Sequence, residues 1–302
     1  MNTLIETLDF ILSKIPYFSL GLILIFLGKI FYDITTAYNV NKHLAKENNN
    51  AVGISLVGYL IGLSLPISTI LNSTSDSILN EVIGILLLGL ILIILLRLSM
   101  LINDLIILYK FKIGHEIAEQ KNAGTGYVVG GMCIATGLML SGVMSGESEG
   151  ISSLVIDIFV YWIFGQIILI IDGIVFQIIT RYDLHETIEK ENTSAAGISF
   201  GAFLVSQGMI TKIALTGASS NYGPELLITA IIAITGLILL VIGRVIIDKI
   251  FLPKANLSFE ISKNKNTAAA ILAAGIFIII AIIFSSVANP NSISTESIMV
   301  IN

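Results

Sequence analysis

The sequence predicts an all-α membrane protein: eight transmembrane helices built from four parallel two-helix repeats of 72 residues, with a pseudo-twofold relation between the halves. Three observations carry this. The 302-residue chain is 55% hydrophobic and 12% charged, with a mean hydropathy of +0.93. Soluble domains carry about 25% charged residues, so a water-exposed globule is excluded. Apolar windows near the about 20 residues that cross a hydrocarbon core recur at 17–38, 51–72, 82–108, 123–145, 153–180, 195–216, 225–252 and 267–288. Finally, Asn50, Asn122, Ser194 and Asn266 stand 72 residues apart, each opening a small-residue run that leads into a window.

In chain order, residues 1–16 read as an interfacial amphipathic helix with Leu4, Ile5, Leu8, Ile11 and Leu12 on one face and Pro16 as its terminator. Glu6 and Asp9 interrupt the apolar run and argue against a signal peptide. Residues 17–146 form the first four-span unit, repeats 1 and 2, and 153–288 the second, repeats 3 and 4. The tail 289–302 is too short and polar to span and is expected to face outward. Recurrence is closest at 144 residues: Glu47, Asn48, Ala51 and Gly53 return as Glu191, Asn192, Ala195 and Gly197. An even number of spans per repeat makes every copy enter from the same side, so rotation about the membrane normal relates them.

Most of the 16 basic residues lie in the loops within repeats, among them Lys42, Lys46, Lys110, Lys112, Lys121, Arg181, Lys190, Lys249, Lys254, Lys263 and Lys265. The links between repeats carry Asp76, Glu81, Glu147, Glu149 and Glu225 instead. Basic short loops stay cytoplasmic, which predicts both termini outside. Tyr38, Tyr109 and Tyr182 on one side, and Tyr17, Tyr161 and Trp162 on the other, are expected to form interfacial belts. Cys133 lies within a span, so no disulfide framework exists.

The run Glu47-Asn48-Asn49-Asn50-Ala51-Val52-Gly53-Ile54-Ser55-Leu56, followed by Gly58, Gly62 and Leu65-Pro66-Ile67-Ser68, resembles the signature of the family called domain of unknown function 350, the YjfL-like inner-membrane proteins. Lys121-Asn122-Ala123, Asn192-Thr193-Ser194-Ala195-Ala196-Gly197 and Lys265-Asn266-Thr267-Ala268-Ala269 resemble the same signature, with Ser194 in place of Asn and Ala269 in place of Gly. Familiar members carry the unit twice in four spans, so this chain reads as two tandem copies. The resemblance implies a bacterial cytoplasmic membrane and an association with envelope-stress systems, and nothing catalytic.

Three sets of residues are candidates for function. Asn50, Asn122, Ser194 and Asn266 have the short polar side chains that cap helix starts; a ring of four such N-termini also offers amides to an anion or headgroup. Gly58 with Gly62, Gly126 with Gly130, Gly197 with Gly201, and Ala269 with Ala273 are small-xxx-small pairs that let helix backbones approach in lipid, making the second helix of each repeat the inner one. The third set is a charged stripe in the first helices: Lys29, Asp33, Arg97, Asp104, Asp172, Gln177, Arg244 and Asp248. Lys29 with Asp33 and Arg244 with Asp248 are i,i+4 partners, Arg97 lies two turns before Asp104, and Asp172 is left to seek an arginine on another helix. Buried membrane charges mark ion or proton paths, although long bases also snorkel to the surface.

His43, His115 and His185 are too sparse for a metal site, and no phosphate loop, nucleophile elbow or cofactor motif is present. Nothing in the composition calls for a nucleic-acid partner. Two function classes stay open. One is a membrane scaffold whose basic cytoplasmic loops hold anionic lipid or a peripheral protein. The other is an ion or small-solute channel or transporter lined by the stripe. Homo-oligomerisation is compatible with both.

Overall fold

The computed structural model describes residues 2–71, 78–146 and 150–288. Asp76, Glu147, Glu149, the tail 289–302 and the side chains of Leu4 and Ile5 lie outside the described residues. Eight helices are long and apolar enough to cross a membrane. They are α1 Asn2–Thr35, α3 Asn50–Ile70, α4 Ile78–Ile102, α6 Ala123–Val143, α7 Ile151–Thr180, α9 Ser194–Leu215, α10 Tyr222–Ile246 and α12 Thr267–Val287. One six-residue helix precedes each second span: α2 Val40–Ala45, α5 Ile113–Ala118, α8 Leu184–Glu189 and α11 Leu257–Ser262.

Two expectations need correction here. Pro16 does not terminate a separate helix, because α1 continues through it. A proline removes one helical hydrogen bond, and the unbroken apolar helix on its C-terminal side outweighs that loss. Tyr161 is not an interfacial belt residue: it is 1% exposed, and its hydroxyl donates to the Ser219 carbonyl at 2.8 Å.

The repeat period is also finer than 72. From α2 onward, element starts recur at 144, as Val40 and Leu184 or Ile113 and Leu257 illustrate. Adjacent repeats alternate between spacings of 73 and 71, because α4 and α10 each run on into a π-helical turn, Asn103–Ile107 and Ile247–Phe251, that repeats 1 and 3 lack. Asp104 therefore stands nine residues before the start of α5, whereas Gln177 stands seven before α8.

The spans form two layers. α3, α6, α9 and α12 lie side by side as an inner row, and α1, α4, α7 and α10 pack on it. Without a hydrophobic force between helices in lipid, close van der Waals contact must hold the row together. Glycine provides it. A Cβ on Gly126 would come 2.7 Å from the Ala51 carbonyl, one on Gly201 2.5 Å from the Tyr127 carbonyl, and one on Gly131 2.6 Å from the Gly201 Cα. Added Cβ atoms on Gly58, Gly62 and Gly197 would likewise strike the backbones of Gly130, Cys133 and Gly124. Gly130 is less tight, at 3.1 Å from the Ile54 carbonyl. Ala269 and Ala273 are buried in α12. These contacts pair increasing residue numbers with increasing residue numbers, so the inner helices run parallel. Toward α12, aromatics replace glycine: Phe203 meets Phe176 and Phe277 with centroids 5.1 and 5.3 Å apart.

Candidate functional site

The four short helices and the starts of the inner helices sit at one end of the bundle and form a rim. Three residues beyond each short helix stands a residue with positive φ, Asn48, Lys121, Asn192 or Lys265. Asparagine tolerates that conformation. Lysine does so less readily, and both lysines gain a bond in exchange: Lys121 Nζ donates to the Glu47 carbonyl at 2.9 Å and Lys265 Nζ to the Glu191 carbonyl at 2.5 Å.

The next residue is the helix cap, and here the 72-residue register was one off in alternate repeats. Asn122 and Asn266 are caps, accepting from the Thr125 and Ala269 amides. Asn50 and Ser194 are instead the first helical residues, and the caps are Asn49 and Thr193. The reason is the 73/71 alternation, combined with neighbouring residues that cap equally well. The cap side chains also stitch repeats together. Asn49 Nδ2 donates to the Ile117 carbonyl at 2.8 Å, and Asn122 Nδ2 to the Ile188 carbonyl at 2.6 Å. Thr193 has no side-chain amide to extend the series, and Asn266 Nδ2 turns back to Glu260 at 3.0 Å.

The charged stripe resolves into anchors for the same rim. Asp104 Oδ1 accepts from the Ile113 amide at 3.1 Å, Gln177 Oε1 from the Leu184 amide at 2.9 Å, and Asp248 Oδ1 from the Leu257 amide at 2.8 Å. Each thus satisfies an N–H at the first residue of a short helix, a group with no intrahelical partner. Arg244, 5% exposed, joins Asp248 Oδ2 and Ser258 Oγ, both at 2.8 Å. Lys29 pairs with Asp33, whose other oxygen is buried without a hydrogen-bond partner among the described residues.

Two stripe residues behave otherwise than expected. Arg97 does not serve Asp104; it donates to the Thr35 carbonyl at 2.6 Å and lies over the Tyr32 ring, closing the end of α1. Asp172 finds no arginine. It is fully buried, and neither carboxyl oxygen has a hydrogen-bond partner among the described residues. Between the Trp162 Nε1 to Ser99 Oγ bond at 2.8 Å and the approach of Gly173 to Ile107 along α4 and its π turn lies a second such group, Asn103, also buried and with no side-chain hydrogen-bond partner among the described residues.

A family model, Domain of Unknown Function (DUF350), matches residues 6–144 and again 150–288. This chain belongs to the DUF350 family. The two matches begin 144 residues apart, the same interval as the structural elements, so the DUF350 unit is the four-span half with its two rim helices. The chain is also similar to a "UPF0719 transmembrane protein" of Aquifex aeolicus (strain VF5), 24% identical over 85% of this chain and 94% of that one. No solved structure matches. The molecule is a multi-pass transmembrane protein of a family without an assigned function, and its spans place it in a lipid bilayer.

Between the two DUF350 units, Lys110 and Asp183 form an ion pair at 2.6 Å that holds the Asp183 carboxyl below its usual range. His185, next to it, is buried, with Nε2 2.9 Å from the Ile107 carbonyl, and burial pushes its imidazole below the ordinary value. The short helices, the π turns and the cross-repeat bonds of Asn49 and Asn122 are not legible in the repeat pattern of the sequence. The signal that could have found them is Asn39, Asp183 and Asn256, each capping a six-residue helix ahead of the repeat motif. Among the described residues no group of His, Cys, Asp and Glu could hold a metal.

Proposed function

We propose that this DUF350 protein is a non-catalytic scaffold of the bacterial cytoplasmic membrane, with its rim and both basic loop sets on the cytoplasmic side and its termini outside. There it engages anionic lipid or a peripheral partner. One observation carries the reading: Asp104, Gln177 and Asp248 are committed to rim construction, while Lys112, Arg181, Lys249 and Lys254 make no ion pair among the described residues. Exposed bases at a cytoplasmic membrane surface are drawn to anionic headgroups, about 1 kcal/mol each. The test is lipid enrichment around the protein in vesicles of phosphatidylethanolamine and phosphatidylglycerol. Wild type should enrich phosphatidylglycerol, and replacing Lys112, Lys249 and Lys254 by glutamine should reduce the enrichment; a wild type without preference would overturn the reading.

A second reading, a proton or ion conduit, draws on Asp172. An unpartnered carboxyl at membrane depth is costly and is retained for a reason. If it carries protons, reconstituted protein dissipates a pH gradient and Asp172→Asn abolishes that flux.

A further inference from the structure

Where α7 and α10 reach the rim, they enclose a cleft of about 540 Å³. It is lined by Ile178 and Val241, each three residues deeper along its helix than Arg181 and Arg244, and nearer the rim by Val245 and Lys249. Arg181 and Lys249 are exposed, while Arg244 is buried and fixed by Asp248 and Ser258. Asp248 also lines the cleft, so three positive charges face one negative charge that is already bonded to Arg244 and to the Leu257 amide.

The duplication supplies a comparison within the same molecule. Subtracting 144 places Ala37, Met100 and Leu105 at the positions of Arg181, Arg244 and Lys249, while Asp104 stands for Asp248. The first-half cleft, about 700 Å³, is lined by Ala37, Asp104 and Leu105 at the corresponding positions and so lacks these bases. It retains Lys110, which is paired with Asp183, and Lys112. Arg97, at the position of Val241, is occupied by the Thr35 carbonyl and Tyr32. The architecture of the unit therefore does not require three bases at this place. They are an addition confined to one half.

We propose that the α7/α10 cleft binds the phosphate headgroup of an anionic phospholipid, with an acyl chain lying along Ile178 and Val241. The inference deepens the scaffold reading and rests on it. A guanidinium presents a planar fork that matches phosphate oxygens, and the exposed Arg181 makes no ion pair among the described residues and offers that fork, with Arg244 adding a fixed charge behind it. Lys249 adds a mobile charge at the mouth. Apolar residues three positions deeper than the arginines follow the order of polarity that a lipid presents, and a soluble anion would leave them unused.

The test is native mass spectrometry of the delipidated full chain in detergent, titrated with phosphatidylglycerol, phosphatidylcholine or inorganic phosphate. Wild type should take one phosphatidylglycerol far more tightly than further copies or phosphatidylcholine. Arg181→Ala combined with Lys249→Gln, both at exposed positions, should weaken that adduct about twenty-five-fold, at about fivefold per charge. Lys110→Gln, in the first-half cleft and already paired with Asp183, should leave it unchanged. If wild type prefers phosphatidylglycerol but the Arg181/Lys249 variant keeps the adduct, the cleft assignment is overturned while the scaffold reading stands. Absence of any preference in wild type overturns both. Inorganic phosphate displacing the lipid at equal concentration would overturn the lipid assignment in favour of a free anion.

Discussion

Asp104 and Asp248 occupy the same place in the two DUF350 units, each in a π-helical turn and each accepting the amide that begins a short helix. Replacing either by alanine removes one capping acceptor, at about 1 kcal/mol. Only Asp248 also carries Arg244, whose side chain is 7% exposed. Stranding a buried charge costs about 3–5 kcal/mol; we take about 3, because 30% of the Asp248 side chain is exposed and Arg244 keeps its bond to Ser258. Asp248→Ala should therefore cost about 4 kcal/mol against about 1 for Asp104→Ala. At about 2 °C per kcal/mol, the midpoints of unfolding in detergent, followed by Trp162 fluorescence, should fall by about 8 and about 2 °C. The first unit supplies a rescue, since Met100 stands where Arg244 does in the second. Adding Arg244→Met to Asp248→Ala should recover most of the difference. Equal losses for the two single variants, or no rescue, would refute the assignment of Asp248 as partner of a buried charge.

Further outcomes follow from the inner row and the rim. Gly131→Leu should separate α6 from α9 and lower stability by several kcal/mol, on the order of overpacking a core or more, whereas Gly275→Ala, with nothing within 4 Å of the added carbon, should be neutral; thermal midpoints compare them, and similar losses would refute glycine-mediated packing. Asn122→Ala removes the cap on Thr125 and the stitch to Ile188 together, so amide exchange should rise in both α6's first turn and α8, and a rise confined to α6 would refute the stitch. His185 has its proton affinity lowered by burial, so the unfolded rim binds a proton more readily than the folded one. Its stabilising contribution is complete above the unfolded value near about 6.5 and is lost as pH falls from there toward the folded value. Protection of α8 amides, corrected for intrinsic exchange, should decline between pH 7.5 and 5.5; a His185→Gln variant that declines equally would refute the role of this imidazole.

The eight spans were legible because hydropathy over about 20 residues is a long-range average that local detail cannot obscure. The inner row was legible for a similar reason, as small residues recur at helical spacing in every repeat. The caps were found only to within a residue. Asn48, Asn49 and Asn50 are chemically alike, and Thr193 and Ser194 nearly so; which one caps depends on a residue count altered by π turns that leave no mark in composition. The stripe residues lie on the first helices or the π turns that extend them, but their meaning depends on what each carboxylate faces. Asp104 and Asp248 face amides nine residues downstream, across a turn that periodicity alone cannot place. Arg97 appeared to belong with Asp104 by face, yet the nearer acceptor was a carbonyl sixty-two residues away on α1. Asp172's isolation is a statement about neighbouring helices and could only come from their packing.

Asp104 and Asp248 build the rim, and no ionisable group of the first helices forms a path. The most direct measurement is retention of proton, sodium and potassium gradients by vesicles reconstituted with the full chain, beside Asp104→Asn, Asp248→Asn and Asp172→Asn variants. The account predicts wild-type vesicles as tight as protein-free ones, with no change in any variant. A wild-type flux that is lost on replacing Asp172, or either of the other two, would contradict it.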